Sequence, residues 1–215
     1  MNKELAYLPI DIEIDWPDEE KILDWFNAHK LLDTDYWEYQ ENRHAWAMVS
    51  TCKEPKDWRR FDPTMWNNRR TSGQNDGILF HPGFEDEFPS LANCIRQLPF
   101  KQLTVSGFLY QLGEIPPHQD TFDPNEPTEP RRYSIYLTDP KYNTFYVSKD
   151  NSSKKYYPEL ITPCFTFNNS SCYHGAVATE RPKIILTTAG IIDNDKHKKL
   201  LERSLEKYRD NTIWL

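Results

Sequence analysis

The feature that most constrains the fold is a run of short apolar or alternating segments between residues 101 and 193, each of strand length and each closed by chain breakers. The segments are Leu103 to Leu112, Arg132 to Thr138, Thr144 to Val147, Cys164 to Phe167, Cys172 to Val177 and Lys183 to Ile192. Between them stand Pro116-Pro117, Asp139-Pro140, Asn168-Asn169-Ser170-Ser171 and Arg181-Pro182. Several strands at this spacing predict an antiparallel barrel or jelly roll. A helical period fits the flanks instead. Asp18-Glu19-Glu20 opens a helix carrying Ile22, Leu23, Trp25 and Phe26. Phe84 to Leu98 reads as a second amphipathic helix after the turn His81-Pro82-Gly83, and Ala45 to Ser50 reads as a strand. Asn194 to Tyr208, with Leu200, Leu201 and Leu205 on one face, reads as a closing helix.

The expected architecture is therefore mainly β with flanking helices (α+β), in a single domain of 215 residues. Its parts are a mixed extension over 1–100, a core over 101–193 and a C-terminal helix over 194–215. That length supports a sizeable core without cross-links. The net charge of −7, with no long basic run, argues against a nucleic-acid-coating protein. The segment MNKELAYLPIDIEID lacks the apolar run of a secretory leader, and no stretch reaches the length of a membrane span. Cys52, Cys94, Cys164 and Cys172 show no CxxC spacing, so each is expected to be a free thiol of a soluble, cytoplasmic protein. Oligomeric state is left open.

His118-Gln119-Asp120 follows the first long strand, directly behind two prolines. Composition alone supplies about one His-x-acidic match in such a chain, so the context gives the motif its weight. A strand end is where a barrel presents ligands at its mouth. His174 lies 54 residues after Asp120, on an expected hairpin turned at Asn168-Asn169-Ser170-Ser171. Two histidines and one carboxylate form a facial triad, which holds ferrous iron on one face and leaves three positions open. A bidentate keto acid takes two of them and dioxygen the third. The bland alternatives are a surface-loop histidine at 118 and a hydrogen-bonded histidine at 174. Lys183 then opens the apolar run Ile184 to Gly190, and a cation at the start of an inward-facing strand needs an anion. A lysine guarding a strand edge is the alternative. Arg181 shares its strand face and, standing before a proline, fits that alternative better.

The order His118-x-Asp120, several strands, then HGAVATERPKIILTTAGIID from His174, together with RRYSIYLTDP from Arg131, resembles the Fe(II)/2-oxoglutarate-dependent oxygenase superfamily. The likeness is greatest to its prolyl- and aspartyl-hydroxylase-like branches and covers about residues 103–193. The resemblance implies a double-stranded β-helix (jelly roll, cupin-like). It makes His118, Asp120 and His174 the iron ligands. Lys183 becomes the partner of the distal carboxylate of 2-oxoglutarate, with Arg181 as substitute. Tyr136, Arg132 on the same strand face and, more weakly, Tyr110 become further cosubstrate-binding residues.

The implied activity is a dioxygenase that decarboxylates 2-oxoglutarate to succinate while hydroxylating an unactivated C–H bond of an amino-acid, peptide or small-molecule substrate. A carboxylate at Asp120 favours hydroxylation over halogenation. The competing readings are a non-catalytic cupin-like protein binding a metal or small acid, and a zinc-dependent hydrolase. The zinc reading lacks an identifiable general base and leaves Lys183 without a role. Two loops, Thr121 to Pro130 (acidic) and Lys53 to Arg70 (arginines among tryptophans), point to substrates of opposite charge. No substrate follows from them.

Overall fold

A computed structural model describes residues 3–28, 44–48, 78, 80, 82–120, 130–151 and 154–215. Every strand pairing among them is antiparallel. The strands are β1 (Leu5–Pro9), β2 (His44–Met48), β3 (Phe100–Gln111), β4 (Ile115–His118), β5 (Tyr133–Tyr136), β6 (Phe145–Ser148), β7 (Cys164–Phe167), β8 (Tyr173–Ala176), β9 (Lys183–Ile192) and β10 (Ile213–Trp214). They form a seven-stranded sheet in the order β10-β1-β7-β5-β9-β3-β2 and a three-stranded sheet in the order β4-β8-β6. A single bridge from Val147 to Tyr156 extends the small sheet beyond β6. From β3 to β9 each successive strand lies in the other sheet. That alternation defines a jelly roll, a double-stranded β-helix.

The period-2 pattern of the strands sorts side chains onto two surfaces of the large sheet. On the outer surface Phe108, Tyr110, Tyr133, Ile135, Ile184 and Leu186 share one core with helices α1 (Glu19–Ala28), α2 (Pro82–Glu87) and α3 (Pro89–Gln97), through Phe26, Phe84, Phe88 and Ile95. On the inner surface Tyr136, Phe165, Phe167 and Ile185 meet Phe145 and Val147 of the small sheet. The jelly-roll interior is thus a second, smaller core. Helix α4 (Asn194–Lys207) starts where the Asp193 side chain accepts from the Lys196 amide, a side-chain cap on an otherwise orphaned donor.

Three elements differ from their sequence expectation. The helix read across 84–98 is two helices, because Pro89 has no N–H and forces Phe88 out of helical backbone (φ −131°, ψ 58°). The residues around Pro116-Pro117 form a strand, β4, where a breaker was expected. Prolines are tolerated there because β4 is an edge strand whose register shifts between Ile115 and His118. The turn at 168–171 closes no hairpin: β7 and β8 belong to different sheets, so it is a corner between layers. Cys94, Cys164 and Cys172 are free and buried, and Cys52 lies outside the described residues. No helix among the described residues is long and apolar enough to cross a membrane.

Candidate metal centre

The small sheet sets two histidines side by side. His118, the last residue of β4, is the register partner of His174 on β8, and their ring centroids are 4.3 Å apart. His174 is also the partner of Val147, an interior residue, so its ring points into the space between the sheets. There it packs 4.8 Å from Phe167 of the large sheet. The chain then leaves β4 and brings Asp120 back over both rings. One carboxylate oxygen, Oδ1, lies 3.8 Å from His118 Nε2 and 4.0 Å from His174 Nε2. Neither separation is a hydrogen bond. Candidate donor atoms of the three residues all lie within 4.8 Å of one another. The donor set fits a metal of intermediate hardness: two imidazoles and one carboxylate. Among the described residues this is the only such group.

Contacts from outside the cluster orient these side chains. His118 Nδ1 lies 2.8 Å from the Pro116 carbonyl, which fixes the ring with Nε2 toward Asp120. Burial disfavours the Asp120 carboxylate. Arg132, His174, the Asn169 hydrogen bond and His118 outweigh it, and the pKa lies below the ordinary value. Burial pushes His174 down to about 3, against the opposing charge of Asp120. His174 is therefore a neutral imidazole at physiological pH, the form that ligates metal.

Lys183 is 2% exposed and faces the interior with Ile185. Burial alone pulls its pKa from 10.5 down to about 7. Among the described residues no ion pair to it is found, and its register partner is the buried, uncharged Gln111. Tyr136, buried, lies on the same inner surface and is the partner of Ile185. Arg132, one residue before β5, is turned to Asp120, at 2.9 Å.

Two cosubstrate candidates stand elsewhere. Tyr110 is on the outer surface, stacked on Phe26 at 6.0 Å, because it differs by one in strand parity from the inward-facing residues. Arg181 is exposed, pairs with Glu19 at 3.1 Å and sits 4.4 Å over the Tyr142 ring, as a strand-edge cation would. Asn169 was read from sequence only as a turn residue, yet its side chain donates to Asp120 Oδ2 at 2.7 Å. An asparagine in a turn carries no signal that distinguishes this role. The loops at 53–70 and 121–129 lie outside the described residues.

No protein-family model and no curated protein matches the sequence. Solved structures are similar to it at low identity and low TM-score. A Pseudomonas putida prolyl-4-hydroxylase is 8% identical with a TM-score of 0.40, over 86% of this chain and 93% of that one. The viral collagen prolyl hydroxylase of Paramecium Bursaria Chlorella virus-1, in its 2OG complex, is 13% identical with a TM-score of 0.39, over 85% and 93%. NgTET1 in complex with 5mC DNA is 14% identical with a TM-score of 0.38, over 96% and 80%. The strand order by itself makes the chain a double-stranded β-helix, with a His-x-Asp and a distant histidine gathered at one end of the smaller sheet.

Proposed function

We propose that this chain is a ferrous-iron- and 2-oxoglutarate-dependent oxygenase that hydroxylates an unactivated C–H bond of an amino-acid, peptide or small-molecule substrate. The observation that carries the reading is the pairing of two features on one interior. A two-histidine, one-carboxylate cluster shares it with a buried lysine that has no carboxylate partner among the described residues. Burying an amine without an anion is costly. A strand would not keep such a lysine for stability, because an apolar residue packs better there. A ligand bearing a carboxylate removes the cost. Two metal-binding atoms at its other end would place that ligand between Lys183 and the cluster, and 2-oxoglutarate has this form.

His118, Asp120 and His174 would hold the iron, which when bound couples dioxygen and the decarboxylation of 2-oxoglutarate to oxidation of the substrate. The protein's own residues do the rest. Lys183 anchors the distal carboxylate as its ammonium form. Tyr136 supplies a phenol that burial keeps protonated, a donor for the same group. Phe145, Val147, Phe165, Phe167 and Ile185 line the interior with apolar surface and exclude water. A cupin-like binder would use the same fold without turnover, and a zinc hydrolase would leave Lys183 without a partner.

The test is anaerobic addition of ferrous iron, then 2-oxoglutarate, to the metal-free chain. A weak visible charge-transfer band that requires both and is absent in His174→Ala is the expected result. Iron binding with no band would move the protein to the cupin-like or hydrolase class.

A further inference from the structure

The carboxylate of Asp120 is not held symmetrically. Oδ2 receives Arg132 Nη1 at 2.9 Å and Asn169 Nδ2 at 2.7 Å, while Oδ1 is the oxygen turned toward both histidines. Asn169 grips the residue a second time, since its carbonyl accepts from the Asp120 amide at 2.8 Å. Main chain and side chain of Asp120 are thus tied to one residue. That residue is itself fixed. Asn168 Oδ1 accepts from the Ser170 amide at 3.3 Å, the Ser170 hydroxyl at 3.1 Å and the Ser171 amide at 3.1 Å, which closes the corner between β7 and β8. The Asn168 amide donates to the Ala6 carbonyl of β1 at 3.0 Å, so the corner is anchored to the large sheet.

We infer that Arg132 and Asn169 are positioning residues that occupy one oxygen of Asp120 and so present the other, alone, to the metal. The inference rests on the reading of the cluster as a metal centre and goes beyond it. It moves Arg132 from cosubstrate binding to ligand orientation, and gives the corner at 168–171 a function. The physical logic is that a free carboxylate can bind a cation through one oxygen or two. Two donors on Oδ2 use the lone pairs that bidentate binding would need. A site that must leave three positions for other ligands is best served by a one-oxygen aspartate.

A plainer role for Arg132 makes the opposite prediction. If the guanidinium merely neutralises Asp120 while no cation is present, its removal takes away a positive charge next to a cation site. Metal affinity should then rise. If Arg132 orients the ligand, affinity should fall despite the electrostatic gain. Asn169 is uncharged and separates the two effects, because its loss alters orientation alone.

The experiment is titration of the full chain with Co(II) alone, followed by its visible d–d bands, for wild type, Asn169→Ala and Arg132→Ala. Far-UV circular dichroism and melting of the metal-free proteins serve as fold controls. The expected result is a 10- to 100-fold weaker Co(II) affinity in each variant, the range typical for residues that hold a ligand from outside. The d–d bands should change as the released oxygen joins the coordination sphere. Should Asn169→Ala not fold, Asn169→Ser keeps a turn-forming residue without the amide, and the same loss is expected. Wild-type affinity and spectrum in the folded Asn169 variant, or tighter binding in Arg132→Ala, overturns the inference while the metal-centre reading stands. If wild type itself binds no Co(II), both fall.

Discussion

Lys183 carries a cost that grows as the pH falls. Its amine titrates at about 7 in the folded protein against 10.5 in the open chain. Between those values the unfolded state holds more protons, so the stability of the ligand-free protein rises with pH by about 1.4 kcal/mol per unit at most. Below pH 7 both states are protonated, and the penalty is fully in place. Replacing the lysine by methionine, of similar volume, should abolish the slope and raise the melting temperature of the ligand-free protein at pH 7. Denaturant curves at pH 7, 8 and 9 check this, and parallel curves for the two proteins would remove Lys183 from the account. The same substitution should weaken 2-oxoglutarate binding by at least tenfold without weakening Co(II) binding. Because the anion pairs with the ammonium, wild type should take up a proton on binding 2-oxoglutarate at pH 8.5. Calorimetry in two buffers of different ionisation enthalpy would show that uptake.

Strands β4 and β8 fix the distance between the two histidines, and one glycine lets them approach. A Cβ at Gly175 would stand 2.5 Å from the Ile115 carbonyl and 2.5 Å from the Tyr146 hydroxyl. Tyr146 is itself fully buried, and the Ile115 backbone cannot give way without moving β4, on which His118 rides. Gly190 is an equally crowded position, with the Gln102 carbonyl 2.0 Å from its Cβ site. It lies seven residues along β9 from Lys183, roughly 23 Å at the usual strand rise. Gly175→Ala and Gly190→Ala should each destabilise by about 1–3 kcal/mol, and only Gly175→Ala should also impair Co(II) binding. Equal metal affinities in the two variants would mean that the β4–β8 spacing does not govern the site.

The same elements mark how far the sequence could be read. Strands β7 and β9 were legible to the residue, because an apolar run bounded by Asn-Asn or Arg-Pro has one interpretation. The grouping of His118, Asp120 and His174 was legible because the resemblance names these three residues in this order, and their candidate donor atoms do lie within 4.8 Å of one another. Strand β4 was not, since two consecutive prolines ordinarily end a strand and only an edge position with a shifted register admits them. Strand β1 was also missed, because LAYLP is short and its partners, β7 and β10, are more than 150 residues away. The side of the sheet that Tyr110 faces depends on parity relative to Lys183, and that requires the β3–β9 register.

At the scale of the whole molecule, the interior that the cluster faces is bounded by both layers. The histidines come from the small sheet; Lys183 and Tyr136 come from the large one. The corner at 168–171 joins the layers at the metal end, and the N-terminal strand supports it. Glu4 accepts from Asn168 Nδ2 at 3.2 Å and from the Ser171 hydroxyl, while Ala6 receives the Asn168 amide. β1 is held in turn between β7 and β10. Loss of the Glu4 carboxylate should therefore reach the metal ligands through Asn168, Asn169 and Asp120 in sequence. Glu4→Ala is expected to cost about 1.5–3 kcal/mol, the range for hydrogen bonds to a charged group. It should weaken Co(II) binding a few-fold, less than Asn169→Ala, because the corner keeps its internal hydrogen bonds. Combined with Asn169→Ala, the Glu4 change should add nothing further to the loss of affinity, since the link it acts through is already cut. Additive losses in the double variant would show that β1 acts on the site by another route. A lower melting temperature with unchanged Co(II) affinity would confine the strand to stability.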